Sequence, residues 1–138
     1  EAGKYRLALK TPKDQIINIE YTRDKSKKKA AYKKSKAINL KSDIDSIYTS
    51  TEKAARWYKA SVSSTKKRKA VTLSKDSVGG GFKFCVYQKG KRLKTVKVTK
   101  NDKVKTVKLP KKKGAYYVKV TKLTSKTTGA YYLGTYTY

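Results

Sequence analysis

The residue types with chemical reach in this chain are lysine, tyrosine and threonine, and they recur at two-residue intervals. Lys83, Cys85 and Tyr87 form one set, Tyr117, Lys119 and Thr121 a second, and Thr95, Lys97 and Thr99 a third. In a β-strand that interval puts each set on one face, opposite Phe82, Phe84 and Val86, Tyr116, Val118 and Val120, and Val96 and Val98. A surface of interleaved Lys, Thr and Tyr can hold a phosphate backbone by charge while phenol rings stack on bases or touch sugars. The candidate polyanion-binding residues are therefore Lys83, Tyr87, Lys97, Tyr117 and Lys119, with Lys111, Lys112 and Lys113 as an adjoining loop. Trp57 is a secondary candidate, because alternation turns Tyr58, Ala60 and Val62 inward and leaves the indole partly outside. Taken one at a time, such clusters, and Lys66, Lys67, Arg68 and Lys69 with them, also read as solvated charges that keep strand edges from pairing.

Catalysis has little to work with. The chain has no histidine, which removes the commonest general base and metal ligand, and its single Cys85 supplies neither a thiolate cluster nor an internal disulfide. Cys85 has no histidine to activate it and sits in an apolar-alternating segment, so it reads as a half-buried structural thiol. Gly79, Gly80 and Gly81 resemble a phosphate-cradling loop in composition, but no Lys-Ser or Lys-Thr pair and no helix follows; a flexible turn is the expectation. Any turnover would rest on carboxylates such as Asp43, Asp45 and Glu52. The chain is read as a non-enzyme that requires no cofactor and no metal.

The elements that must position these residues are strands. Apolar residues alternate with Lys, Thr or Ser over short windows throughout, and helical periodicity is nearly absent. Strands are expected at Tyr5 to Leu9, Ile16 to Tyr21, Ala37 to Leu40, Ile44 to Tyr48, Arg56 to Val62, Ala70 to Leu73, Phe82 to Gln88, Leu93 to Val98, Lys103 to Leu109, Ala115 to Leu123 and Ala130 to Tyr136. Breaks at Thr11 to Asp14, Gln88 to Lys91, Lys100 to Asp102 and Lys112 to Gly114 carry turn residues. The basic stretch Arg23 to Lys36 reads as irregular. Gly114-Ala115-Tyr116-Tyr117-Val118 and Gly129-Ala130-Tyr131-Tyr132-Leu133 share a pattern, and the short spacing predicts an antiparallel hairpin between them. The fold class expected is all-β, a jelly-roll-like antiparallel β-sandwich, in one domain over residues 1–138.

Charge is the loudest signal. Lys and Arg number 37 against 9 Asp and Glu, a formal +28, where solubility of a small domain asks for roughly 2 to 8. From Ser77 to Tyr138 the only acid is Asp102, so the C-terminal half carries the stronger field. Such an excess implies a polyanion in the surroundings. No apolar run approaches the roughly 20 residues of a membrane span, and membrane insertion is not expected. A start at Glu1 suits a mature exported protein and a trimmed one equally. The lysine bias, few cysteines and abundant Thr and Tyr resemble secreted proteins of Gram-positive bacteria.

In their order along the chain, several segments carry a further resemblance. Ala37-Ile38-Asn39-Leu40, Trp57-Tyr58-Lys59-Ala60-Ser61-Val62, Ala70-Val71-Thr72-Leu73-Ser74 and Phe82-Lys83-Phe84-Cys85-Val86-Tyr87 ending near Gly90 come first. Val107-Lys108-Leu109-Pro110, Gly114-Ala115-Tyr116-Tyr117-Val118-Lys119-Val120 and Gly129-Ala130-Tyr131-Tyr132-Leu133 follow. The set resembles the bacterial pre-peptidase C-terminal domain, a jelly-roll-like sandwich attached to many secreted proteases. The likeness covers residues 24–138 and leaves 1–23 as N-terminal strands or an extension. Some members bind calcium through acids near the start of the domain. The acidic pair usual before the aromatic strand falls here on Ala54 and Arg56, and Asp43, Asp45 and Glu52 are a thin supply for an ion that takes six or more oxygens.

The function expected is that of a secreted, extracellular or cell-wall-associated cationic module that adheres to anionic cell-wall or matrix polymers: teichoic acid, extracellular DNA or acidic polysaccharide. Sequence-specific DNA reading is not expected, since Arg is scarce beside Lys and no helix-turn-helix or zinc motif is present. Two alternatives stand beside it. One is a cationic antimicrobial or toxin effector. The other is a protein-partner module, a protease-associated inhibitor or chaperone, as the family's usual attachment suggests.

Overall fold

Alternation of buried and exposed side chains organises the chain into two sheets that share one core. The computed structural model describes residues 30–40, 44–48 and 54–138. A 3-10 turn at Lys34–Lys36 is followed by β1 (Ile38–Asn39), β2 (Ile44–Tyr48), β3 (Arg56–Val62), β4 (Lys69–Gly79) and β5 (Phe82–Gln88). β6 (Lys91–Val98), β7 (Val104–Lys108), β8 (Gly114–Lys122) and β9 (Thr128–Thr137) complete the order. One sheet runs β1-β3-β8-β5-β6 and the other β2-β9-β4-β7. All pairings are antiparallel except the short parallel contact of β1 with β3. The result is the open, two-sheet β-sandwich expected of the pattern.

The core lies between the sheets. Tyr58, Ala60 and Val62 of β3, Tyr116, Val118 and Val120 of β8, and Phe82, Phe84 and Val86 of β5 pack from one side. Val71 and Leu73 of β4, Val107 of β7, and Tyr131 and Leu133 of β9 meet them from the other. Residues two apart on a strand share a face, so each strand with three apolar residues at this spacing supplies one column of the core. Rings bridge the two layers: Phe82 lies 4.9 Å from Tyr131, and Tyr58 meets Tyr131 edge-on at 6.5 Å with their hydroxyls hydrogen-bonded to each other. That bond lets two polar rings fill an apolar interior. The buried Tyr116 hydroxyl donates to the carbonyls of Pro110 at 3.3 Å and Lys112 at 2.9 Å, tying the β7–β8 loop to the core.

The connections account for where the sequence reading and the structure part. The hairpin expected between the two Gly-Ala-Tyr-Tyr segments does not form. β8 pairs with β3 and β5, whereas β9 pairs with β2 and β4. Both strands carry an inward Tyr and an inward aliphatic residue, and a sandwich has two walls to cover, so the short connection crosses the core instead of reversing within a sheet. Buried Thr127 holds that crossing, accepting a hydrogen bond from the Gly81 amide at 3.3 Å and a longer one from the Thr124 amide at 3.4 Å. The same crossing explains the triple glycine. Gly80 has φ +109°, and a Cβ on Gly81 would stand 2.2 Å from the Val98 carbonyl oxygen and 2.8 Å from Leu123, so this turn is packed where a flexible one was expected. β5 and β6 are joined by Lys89 (φ 47°) and Gly90 (φ 80°), the double positive φ of a two-residue hairpin turn.

Strand bounds follow the sequence reading closely at β2, β3 and β5 and are longer at β4, where the register shifts between Lys75 and Val78. The expected strands at Tyr5 to Leu9 and Ile16 to Tyr21 lie outside the described residues, as do Asp43, Glu52 and residues 23–29 of the Arg23 to Lys36 stretch.

Candidate functional site

The outward face of the five-stranded sheet gathers most of the candidates. Register sets them in rows across the strands. Lys59 of β3 lies beside Tyr117 of β8, Tyr87 of β5 and Arg92 of β6. The next row holds Trp57, Lys119, Cys85 and Thr95, and the one after it Thr121, Lys83 and Lys97. Lys83, Tyr87, Lys97, Tyr117 and Lys119, singled out by alternation, therefore share one surface. Lys111, Lys112 and Lys113 are exposed in the loop leading into β8, at the end of the sandwich nearest Ala115.

The aromatic residues form the centre of this face. Trp57 reaches across β8 to Tyr87, with ring centroids 5.6 Å apart. The Lys119 ammonium sits 5.6 Å from the indole centroid, and that of Lys34, carried by the 3-10 turn, sits 4.7 Å from the Tyr117 ring. A ring face is electrically negative, so it holds an ammonium in place while leaving its remaining hydrogens for an anion. Cys85 lies under this layer at 6% exposure, its sulfur 3.3 Å from the Thr95 hydroxyl, more deeply buried than the half-buried thiol expected. Burial, and then the neighbouring Cys85, push the Tyr87 phenol above its ordinary pKa. The ring is neutral at physiological pH and adds no negative charge to the face.

The five strands contain Arg56, Lys59, Lys83, Lys91, Arg92, Lys94, Lys97, Lys119 and Lys122, and none of them contains Asp or Glu. The acids in the described strands, Asp45 and Asp76, belong to β2 and β4 of the other sheet, and Asp102 lies in the β6–β7 turn. Asp102 is occupied there: it pairs with Lys105 at 2.7 Å and accepts from the Thr99 amide at 2.9 Å and hydroxyl at 2.7 Å. Lys105, followed by Thr99, holds its carboxyl well below the usual range. Among the described residues no three His, Cys, Asp or Glu cluster as a metal site would require. Arg56, at one of the positions where the family resemblance expects an acid, is buried at the end of the inward column of β3.

Alternation missed Lys34, Lys59 and Arg92. Lys59 could have been found, since it shares the outward parity of Trp57. Arg92 could not, because a register shift between Val86 and Tyr87 brings it opposite Tyr87 in place of its neighbour Leu93. Lys34 comes to Tyr117 only through the tertiary path, where the Trp57 amide donates to the Ala31 carbonyl at 2.8 Å and docks the preceding segment along β3.

A different surface covers the four-stranded sheet. Tyr132, Gly134 and Tyr136 follow one another on the outward side of β9, and Thr72 and Ser74 of β4 and Thr106 of β7 lie beside them. These residues line a shallow groove of about 340 Å³.

No protein-family model and no curated protein matches the chain. Among solved structures, the chain is similar to the pre-peptidase C-terminal domain of a collagenase from Bacillus anthracis, at 17% identity and a TM-score of 0.54, over 72% of this chain and 92% of that one. It also aligns with PliG of Aeromonas hydrophila, a periplasmic inhibitor of g-type lysozyme, at 12% identity and a TM-score of 0.49, over 74% and 96% of the two chains. The collagenase domain shares the sandwich fold, as the ordered segments from Ala37 to Leu133 led one to expect. No helix among the described residues is long and apolar enough to cross a membrane.

Proposed function

We propose that this chain is a secreted, non-catalytic adhesion module that binds anionic polymers through the outward face of its five-stranded sheet. One observation carries the reading: five neighbouring strands without a single carboxylate place Lys59, Lys83, Arg92, Lys97 and Lys119, joined by Lys34 of the 3-10 turn, around the rings of Trp57, Tyr87 and Tyr117. Lysine contacts phosphate or carboxylate as a point charge without demanding a planar fork, which favours a repetitive polymer over a defined sequence. The rings give the polymer a dry surface to lie on and fix two of the ammonium groups.

The test is a salt titration of binding to teichoic-acid-bearing cell walls, duplex DNA and an acidic polysaccharide. Log affinity should fall linearly with log salt, and the Lys83→Gln, Lys97→Gln, Lys119→Gln triple variant should lower the DNA slope by about 0.9 for each phosphate it no longer neutralises. Binding that is absent at low salt, or that the triple variant leaves intact, would refute the assignment of this face. Dye leakage from anionic vesicles under the same conditions would move the reading to an envelope-attacking effector.

A further inference from the structure

The groove on the four-stranded sheet is chemically unlike the rest of the surface. In a chain where Lys and Arg make up 37 of 138 residues, the described residues that line it are Thr72, Ser74, Thr106, Tyr132, Gly134, Thr135 and Tyr136, without one charged side chain among them. β9 as a whole carries no charged residue from Thr128 to Thr137. We propose that this groove is a binding site for an uncharged carbohydrate chain, separate from the cationic face and independent of its function.

The geometry is that of a short platform with two end walls. Tyr132 and Tyr136 are four residues apart on one side of β9, a span of roughly 13 Å at the rise of a strand. The two residues are 38% and 46% exposed. Gly134, midway between them, contributes no side chain, so the floor drops to backbone between the two rings. Register extends that floor sideways through Thr72 to Thr106. The Thr72 and Thr106 hydroxyls stand 3.1 Å apart, and hydroxyls are both donors and acceptors, as the hydroxyls of a sugar are. Aromatic walls around a few convergent polar groups are the general form of a small-ligand site, and the apolar C–H face of a pyranose matches a phenol ring.

Charge selects the class of ligand. Lys108, on the same side of β7 as Thr106, is held 5.5 Å from the Tyr138 ring, and Tyr138 in turn packs on Tyr136 at 5.7 Å. Long-range attraction from a +28 molecule gives an anion no preference for a groove that offers it no ammonium. A neutral polyhydroxylated chain forfeits nothing by binding away from the lysines.

The probes are neutral cello-, chito- and malto-hexasaccharides, titrated against the full chain and followed by NMR shifts of the tyrosine rings. At least one should bind with an affinity that changes less than about twofold between 50 and 200 mM salt, the range over which phosphate-held binding weakens by orders of magnitude. Tyr132→Ala and Tyr136→Ala should each weaken it about tenfold or more, as expected for truncation of a central aromatic contact. Tyr136→Phe should keep most of it, and Thr72→Val should reduce it severalfold while the fold is retained by circular dichroism. The Lys83→Gln, Lys97→Gln, Lys119→Gln variant should leave it unchanged, so failure of the two sites can be told apart. Absence of binding by all three sugars, binding indifferent to Tyr136→Ala, or binding of an extended proline-rich peptide in their place would overturn the proposal.

Discussion

On the five-stranded sheet the residues turned to solvent include Lys59, Lys83, Lys97 and Lys119 around Trp57, Tyr87 and Tyr117, whereas those that line the groove of the four-stranded sheet are Thr72, Ser74, Thr106, Tyr132 and Tyr136, with Thr135. Both sheets are built from the same alternation and bury Tyr and Val, with Phe added on the five-stranded sheet and Leu on the four-stranded one. What differs in chemistry is the outward parity. On one sheet it is occupied by ammonium groups braced on rings; on the other, by hydroxyls and rings, with no ammonium among the described residues that line the groove. A net charge of +28 therefore describes the chain but not every part of its surface, which has a strongly cationic face on one sheet and, on the other, a groove whose described lining is uncharged, with Lys108 beside it. Two faces so different, held back to back by one core, allow one molecule to contact two chemistries at once.

The contrast can be broken at the core, which both faces share. Phe82 is fully buried and packs across the sandwich against Tyr131. Phe82→Ala should cost about 3–5 kcal/mol, a large part of the about 5–15 kcal/mol that holds a domain of this kind. A urea titration should show that loss, with both binding activities falling along the same transition. Separate transitions for the two activities would mean that the sheets do not depend on a common core.

A smaller effect sharpens the contrast between the faces. The cationic face is a packed layer over a thiol, since Cys85 is nearly inaccessible beside Tyr87 and Thr95. Tyr87→Ala should speed modification of Cys85 by an aromatic disulfide reagent by about tenfold, because thiol reactivity in a folded protein follows access. Tyr132→Ala, on the other sheet, should leave the rate unchanged. Equal acceleration by both variants would show that the thiol is reached by general loosening and not through the face above it.

The least effect is expected between the faces, at the β6–β7 turn. The Asp102 carboxyl titrates below its unfolded value of about 3.9, so the ionised form is favoured by folding. Its contribution is present above about pH 4 and is lost as pH falls toward the folded pKa. Asp102→Asn should flatten the acid limb of the stability curve, measured by thermal unfolding from pH 7 to 2, and leave both binding faces intact. An acid limb unchanged by the substitution would remove Lys105 and Thr99 as the cause.

Much of the fold is legible in the residues. Phe82-Lys83-Phe84-Cys85-Val86-Tyr87 announces a strand, its bounds and its inward parity, because a period of two has one physical meaning in a half-buried strand. The same parity is enough to place Lys83, Tyr87, Tyr117 and Lys119 on the outside. It is silent on which strand lies beside which. Gly114-Ala115-Tyr116-Tyr117-Val118 and Gly129-Ala130-Tyr131-Tyr132-Leu133 look like two arms of a hairpin, yet they belong to opposite sheets. The neutral groove is invisible in the sequence for the same reason, since Gly134, Thr72 and Thr106 come from three strands far apart along the chain.

The sequence by itself determined what is local: strands rather than helices, the side of each strand that is apolar, the excess of lysine, and the poverty of catalytic groups. Those properties depend on neighbours one or two residues away, where alternation and composition act directly. Only the tertiary structure decided how strands pair, and with that the union of Lys34 with Tyr117, of Trp57 with Tyr87, and of two tyrosines and four serine and threonine residues into one groove. Pairing is settled by which arrangement covers both walls of a common core, a property of all the strands together that no single segment carries.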